Sequence, residues 1–194
     1  MSAPVPYQHY DPTSQMLVTP EDPDAPARAA RLRSLGVGSL PLPEFDAFAR
    51  NLARILETPY AMVNFIDESR QYFAGLYATG QPGVELPPQE ASSSRIMSKD
   101  HGWCPHVVVR KKALVLEDVC DYPRFAGNPV VDEMSIRSYL GAPLIDWNSG
   151  MALGTICVID TDTRPWGRQG LEIIKAQAQE MVARLHEIER QGGI

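Results

Sequence analysis

The chain has 194 residues, 44% of them hydrophobic and 22% charged, with a net charge of −6. That is enough for one domain with its own core, because a compact portion of about 150 residues buries roughly 70% of its unfolded surface. The acidic balance, with a pI of about 5.2, argues against non-specific DNA or RNA binding, which needs a basic face against the phosphates, and against docking on anionic lipid.

Residues 1–27 carry six prolines and read as an extended, flexible arm, too poor in apolar groups to offset the entropy of ordering. The first residues show neither a basic nor an apolar signal-peptide region. "PARAARLRSLG" predicts a short helix closed by Gly36. "LPEFDAFARNLARILETP" predicts a longer one. Phe45, Phe48, Leu52, Ile55 and Leu56 share its core face, Pro43 suits the first turn, and Pro59 ends it. "YAMVNFID" and "QYFAGLY" are rich in β-branched and aromatic residues and predict two strands joined at "ESR".

From Ala78 to Lys99 the Gly and Pro punctuation predicts a long loop, of the kind that often serves as a lid. Ser92, Ser93 and Ser94 belong to that loop and form no nucleophile motif. "ALVLED" then predicts a strand, and "DYPRFAGNPVVDEMSI" a turn-rich stretch. "RSYLGAPLID" and "MALGTICVID" flank the polar turn "WNSG" and predict a hairpin. In the last helix, Leu171, Ile174, Ala178, Met181, Leu185 and Ile188 follow a 3-4-3-4-3 spacing. Such a short seam fits either packing on the domain's own sheet or sharing with a second subunit. This order of elements predicts an α+β fold, a central antiparallel sheet of five or six strands flanked by helices.

The pieces together resemble the GAF domain family. "EFDAFARNLARILETPYAMVNFIDESRQYF" is similar to its opening helix, strand and turn, and "CPHVVVRKKALVLEDVCDYPRFAGNPVV" to its middle segment. "IRSYLGAPLID" and "GMALGTICVIDTDTRPW" are similar to its closing hairpin. The resemblance covers a single domain over residues 28–190, with a short tail at 191–194. It implies a ligand site between the sheet and a lid of loops and helices, and in many members dimerisation through terminal helices. It implies no particular ligand or cofactor, since GAF domains take cyclic nucleotides, bilins, haem or small metabolites.

The chemistry-bearing residues centre on "GWCPHVVV". Cys104 and His106 lack the further ligands that a metal site needs. Pro105 suits a first helical position, which puts Cys104 at the cap, where the dipole and His106 could activate its thiol. Val107, Val108 and Val109 favour strand, but the resemblance implies a short helix here. The three cysteines, Cys104, Cys120 and Cys157, are scattered without a C-x-x-C, as expected of a reducing cytoplasm. Cys120 and Cys157 read as packing positions rather than as an attacking and resolving pair. The bilin-cysteine and cyclic-nucleotide signatures of the family do not match this sequence.

Tyr139, Gly141, Thr155 and Cys157 alternate on the hairpin strands that would floor the pocket. Arg137 suits an anionic ligand, and with Cys104, His106, Tyr139, Thr155 and Cys157 it completes the candidate pocket set. Asp118, Asp121 and Arg124 read as turn chemistry, Asp capping backbone and Arg124 pairing with a carboxylate. The expected function is a non-catalytic sensory module that binds a small ligand or a signalling partner as a homodimer. A thiol-based redox sensor or reductase centred on Cys104, and a ligand-free dimerisation scaffold, are the alternatives.

Overall fold

The computed structural model describes residues 19–79 and 95–192. The greater part of the predicted arm, most of the predicted lid loop and the last two residues of the tail lie outside them. Six strands form one fully antiparallel sheet in the order β3-β2-β1-β6-β5-β4. They are β1 (Tyr60–Ile66), β2 (Arg70–Ala78), β3 (Ile96–Ser98), β4 (Leu114–Leu116), β5 (Ser138–Ile145) and β6 (Ala152–Asp160). β3 falls within the stretch read from sequence as loop. Its three residues pair with Arg70, Gln71 and Tyr72, too short a run to show a period of two.

Three helices cover one face of the sheet: α1 (Ala25–Leu35), α2 (Pro43–Leu56) and α6 (Gly167–Arg190). α1 ends where the sequence predicts, on Gly36 in the left-handed conformation, φ 73°. It begins at Ala25, inside the predicted arm, and the segment before it is tied to the domain. Asp22 takes the Arg28 guanidinium and lies 3.4 Å from the Lys99 ammonium, and Thr19 Oγ1 donates to the Lys99 carbonyl at 3.1 Å. Arg28 is itself buried and donates to the Ile66 carbonyl at 2.7 Å, so its charge is paired rather than stranded.

α2 buries Phe45, Phe48, Ala49, Leu52 and Ala53. The small alanines let the helix lie close to the sheet and turn its face slightly from the one predicted. Ile55 is therefore 42% exposed and Leu56 only half-buried. The approach is so close that a Cβ on Gly75 would stand 2.3 Å from the Phe45 carbonyl oxygen. Burial of a side chain such as Phe45 stabilises by roughly 1.5–3 kcal/mol, and this face is built almost entirely of such groups.

α6 spends its apolar stripe on the domain's own sheet. Ile174, Ala178, Met181 and Leu185 are buried there, while Leu171 and Ile188, at the two ends of the seam, are half-buried. An ion-pair knot fastens α6 to α1 and to the β5–β6 turn. Arg31 donates to both oxygens of Asp146 at 3.2–3.3 Å and to both of Glu189 at 2.5 and 2.8 Å. His186 accepts from Trp147 N at 3.2 Å and stacks on the Trp147 ring, with centroids 4.5 Å apart.

The opposite face is covered by short pieces: α3 (Cys104–Arg110), a 3-10 turn (Val119–Asp121), α4 (Pro123–Ala126) and α5 (Pro129–Met134). The last two resolve the turn-rich stretch into helices one turn or so long, each opened by a proline. Among the described residues no helix is long and apolar enough to cross a membrane.

Candidate functional site

The lid begins with α3. Val107, Val108 and Val109 favour strand on their own. Helix wins because it turns Cys104, Val107 and Val108 together onto the sheet, where each is at most 5% exposed. Cys104 occupies the first helical position rather than the cap. Trp103 stands at the cap and makes no side-chain capping bond. The helix lasts seven residues and stops at Lys111, whose φ of 51° is left-handed.

Asn128 joins this helix to the next part of the lid. Its Oδ1 accepts from Gly102 N at 2.8 Å and its Nδ2 donates to the Gly102 carbonyl at 2.9 Å. The same Oδ1 caps Val130 N at the start of α5. Trp103 Nε1 donates to the Phe125 carbonyl at 3.3 Å, and the Trp103 ring packs on Tyr139 with centroids 5.4 Å apart.

Beneath α3, four of the candidates converge. Cys104 Sγ lies 3.6 Å from Cys157 Sγ on β6 and 3.4 Å from the Tyr139 hydroxyl on β5. Cys104 is nearly and Cys157 wholly shut off from solvent, 53 residues apart in the chain. The two sulfurs are neighbours, a contact that the reading of Cys157 as a packing position did not include. Thr155, two residues before Cys157 on β6, is also fully buried, and its Oγ1 has no well-formed hydrogen bond.

Gly141 makes room for the phenol. A Cβ there would come within 2.2 Å of the Tyr139 hydroxyl, so a side chain at that position and the ring cannot share the space. A cavity of about 30 Å³ adjoins the cluster, lined by Cys104, Tyr139, Cys157, Met62, Met97 and Met134. That volume holds one or two water-sized molecules. Its outer wall includes Met134, 44% exposed, and the half-buried Met97.

The environment separates the two thiols. A hydrogen bond from Cys157 holds the Cys104 thiol below its ordinary range, at about 6; burial opposes it, and Thr155, Tyr139 and Asn64 act with it. The same bond, with burial, pushes Cys157 well up. Burial, joined by the charge of Cys104, raises the Tyr139 phenol too, so it remains protonated as a donor. The shared bond therefore favours the thiolate on Cys104 and the protonated thiol on Cys157.

Two site residues were not singled out from sequence, Asn64 and Gln71. Asn64 Nδ2 donates to Gln71 Oε1 at 2.9 Å, and Gln71 Nε2 donates to the carbonyls of Ser98 and His101, each at 2.7 Å. Asn64 Oδ1 is left without a partner. The one available signal was polarity inside otherwise apolar strands, at positions that must be buried.

The other candidates lie elsewhere. His106 is buried and meets the Phe125 ring edge-on, with centroids 5.2 Å apart. Arg137 pairs with Asp118 at the surface and is 43% exposed. That ion pair, together with the Cys120 amide, draws the Asp118 carboxyl below its usual range. The capping expected of Asp121 is provided by Asp118, whose Oδ1 accepts from Cys120 N at 3.0 Å. Asp121 and Arg124 lie in the 3-10 turn and in α4. Among the described residues no group of three or more His, Cys, Asp or Glu is placed to hold a metal ion.

Comparison with known proteins agrees with this architecture. The GAF domain profile matches residues 41–185. A cyclic di-GMP phosphodiesterase of Pseudomonas aeruginosa is 28% identical over 174 residues, which are 88% of this chain and 27% of that protein. The chain thus spans about a quarter of the length of this curated relative. The GAF domain of an Acinetobacter phosphoenolpyruvate-protein phosphotransferase superposes with a TM-score of 0.60 at 14% identity, covering 87% of this chain and 96% of that one. The free methionine-R-sulfoxide reductase of Neisseria meningitidis, solved with its substrate, gives 0.57 at 14% identity, covering 76% and 78%. These two structures share the fold.

Proposed function

The chain belongs to the GAF domain family, and we propose that it works as a non-catalytic input module, taking a small ligand between the sheet and the α3–α5 lid and signalling to a partner protein through its terminal helices. One observation carries this reading. Thr155 Oγ1 and Asn64 Oδ1 are buried under the lid with unmet hydrogen-bonding capacity, and Cys157, on the strand of Thr155, and Gln71, bonded to Asn64, line a cavity there. A buried polar atom without a partner costs about 1–3 kcal/mol, and the cost is recovered if a ligand supplies the missing bond.

The cavity selects for size. At about 30 Å³ it takes a species of a few heavy atoms, and a nucleotide enters only if the lid lifts. The lid is made of elements seven residues long or shorter, tied together by Asn128, and such elements open at lower free energy than a continuous core. The likeness to a cyclic di-GMP phosphodiesterase supports cyclic di-GMP turnover as the process under control. Homodimerisation belongs to the same proposal. With the buried stripe of α6 spent on the sheet, a second subunit would meet its more polar flanks.

Hydrogen exchange tests the input site. Protein is purified gently from its native cells and compared before and after small molecules are stripped from it. Residues 104–134 are expected to exchange faster after stripping, and a Thr155→Val variant to show no difference. Identical exchange in both wild-type preparations would sink the reading.

A further inference from the structure

The Cys104–Cys157 pair has a geometry that passive packing does not require. Two thiols far apart in sequence meet at 3.6 Å in the core, under the lid and against a cavity of about 30 Å³. A disulfide needs its sulfurs at about 2.05 Å, so closure requires an approach of about 1.5 Å. We propose that Cys104 and Cys157 form a reversible internal disulfide when a hydroperoxide small enough for the adjoining cavity reaches Cys104. This deepens the input-site reading by naming the input as an oxidant, and it rests on that reading for its consequence.

The chemistry balances in two steps. The Cys104 sulfur attacks one peroxide oxygen; the S–O bond forms, the O–O bond breaks, and the leaving oxygen takes the thiol proton and departs as water when the oxidant is hydrogen peroxide. Cys104 is now a sulfenic acid. The Cys157 sulfur attacks Cys104; the S–S bond forms, the S–O bond breaks, and the hydroxyl leaves with the Cys157 proton as a second water. Two thiols are oxidised to one disulfide, and one peroxide is reduced to two waters. An external dithiol reverses the bond by exchange.

The surroundings fit both steps. The Tyr139 hydroxyl, 3.4 Å from Cys104 Sγ, is placed to hydrogen-bond the sulfur and then the departing oxygen. Met97 and Met134, flexible thioethers on the outer wall of the cavity, are the side chains an entering molecule displaces. Cys157 sits on β6, held by β1 on one side and β5 on the other, so Cys104 is the partner that moves. It opens α3, and Gly102 before it is tied by Asn128 to α5. Closing the bond therefore draws two lid helices toward the sheet together. Cys120, exposed in the 3-10 turn, stands apart from the pair.

The test uses the folded, reduced protein and hydrogen peroxide. The expected product has no disulfide between chains and is about 2 Da lighter per chain, with Cys104 and Cys157 joined in the peptide map and the mass restored by dithiothreitol. Cys120→Ser leaves this unchanged, whereas Cys104→Ser and Cys157→Ser abolish it. Hydrogen exchange of residues 96–134 slows in the oxidised form. If Cys104 and Cys157 stay reduced in folded protein while Cys120 oxidises, the proposal is overturned, and the ligand reading survives provided stripping still changes lid exchange. If the disulfide forms only after denaturation, or forms without altering lid exchange, the proposal is likewise overturned.

Discussion

The two faces of the sheet are built from different materials. The helix-covered face holds Phe45, Phe48, Leu52, Leu144, Ile174, Met181 and Leu185, an apolar layer under long helices. The lid-covered face is also buried, yet it encloses Cys104, Cys157, Tyr139, Thr155, Asn64 and Gln71 under elements of seven residues or fewer. Both exclude water and each leaves a buried polar atom unpaired, Trp166 Nε1 on the first and Thr155 Oγ1 and Asn64 Oδ1 on the second. Only on the second do such atoms lie among further buried polar groups and thiols. The first face is thus mainly apolar packing, while the second gathers polar groups whose energy depends on the hydrogen bonds they are offered.

Substitutions on each face should separate these roles. The largest effect is expected from Phe45→Ala, which empties the centre of the helix-covered core. Chemical denaturation should show a loss of about 3–5 kcal/mol, while the labelling rate of Cys104 in the folded fraction stays unchanged. A change in that rate would show that the faces are coupled. Gly141→Ala comes next. Its Cβ would collide with the Tyr139 hydroxyl at 2.2 Å, and overpacking of this kind costs about 1–3 kcal/mol. Here the Cys104 labelling rate should change as well, because the phenol is driven off the thiol.

The smallest effect on stability is expected from Tyr139→Phe, about 0.5–1.5 kcal/mol for one hydrogen bond. It should act instead on pH dependence. Cys104 is an acid held down to about 6, so its thiolate prevails above that pH and disappears below it. The wild-type thiol should react with hydrogen peroxide at a rate that is level above pH 7 and falls about tenfold per unit below 6. Without the phenol, one of the groups favouring the thiolate is gone, and the midpoint should move upward. A midpoint that stays in place would assign the activation of Cys104 to Cys157, Thr155 and Asn64.

Much of the scaffold was legible because local pattern and global need coincide there. The spacing of Phe45, Phe48 and Leu52 declares a helix with one buried side, and the two β-rich runs around "WNSG" declare a hairpin. Ile55 was misassigned because the small Ala49 and Ala53 drew the helix onto the sheet by another edge. β3 was missed because its three residues acquire strand geometry only from pairing with β2. The site was legible in part. Alternation along β5 and β6 put Tyr139, Gly141, Thr155 and Cys157 on one face. The meeting of Cys104 with Cys157 was not, since it depends on how α3 lies across β6 and no local pattern records that. The valines of α3 taught the opposite lesson, because their own preference points away from the structure that tertiary packing imposes.

The Arg31 knot gives the domain the character of a clamp. One guanidinium grips Asp146 in the hairpin turn and Glu189 near the end of α6, while belonging to α1 itself. Strand β6 leaves that same turn and carries Cys157 halfway along its length. The strand that holds Cys157 thus starts from a joint where both terminal helices are fastened. Any chain spliced before α1 or after α6 would leave from helices anchored at the same joint, which makes the two ends one port rather than two.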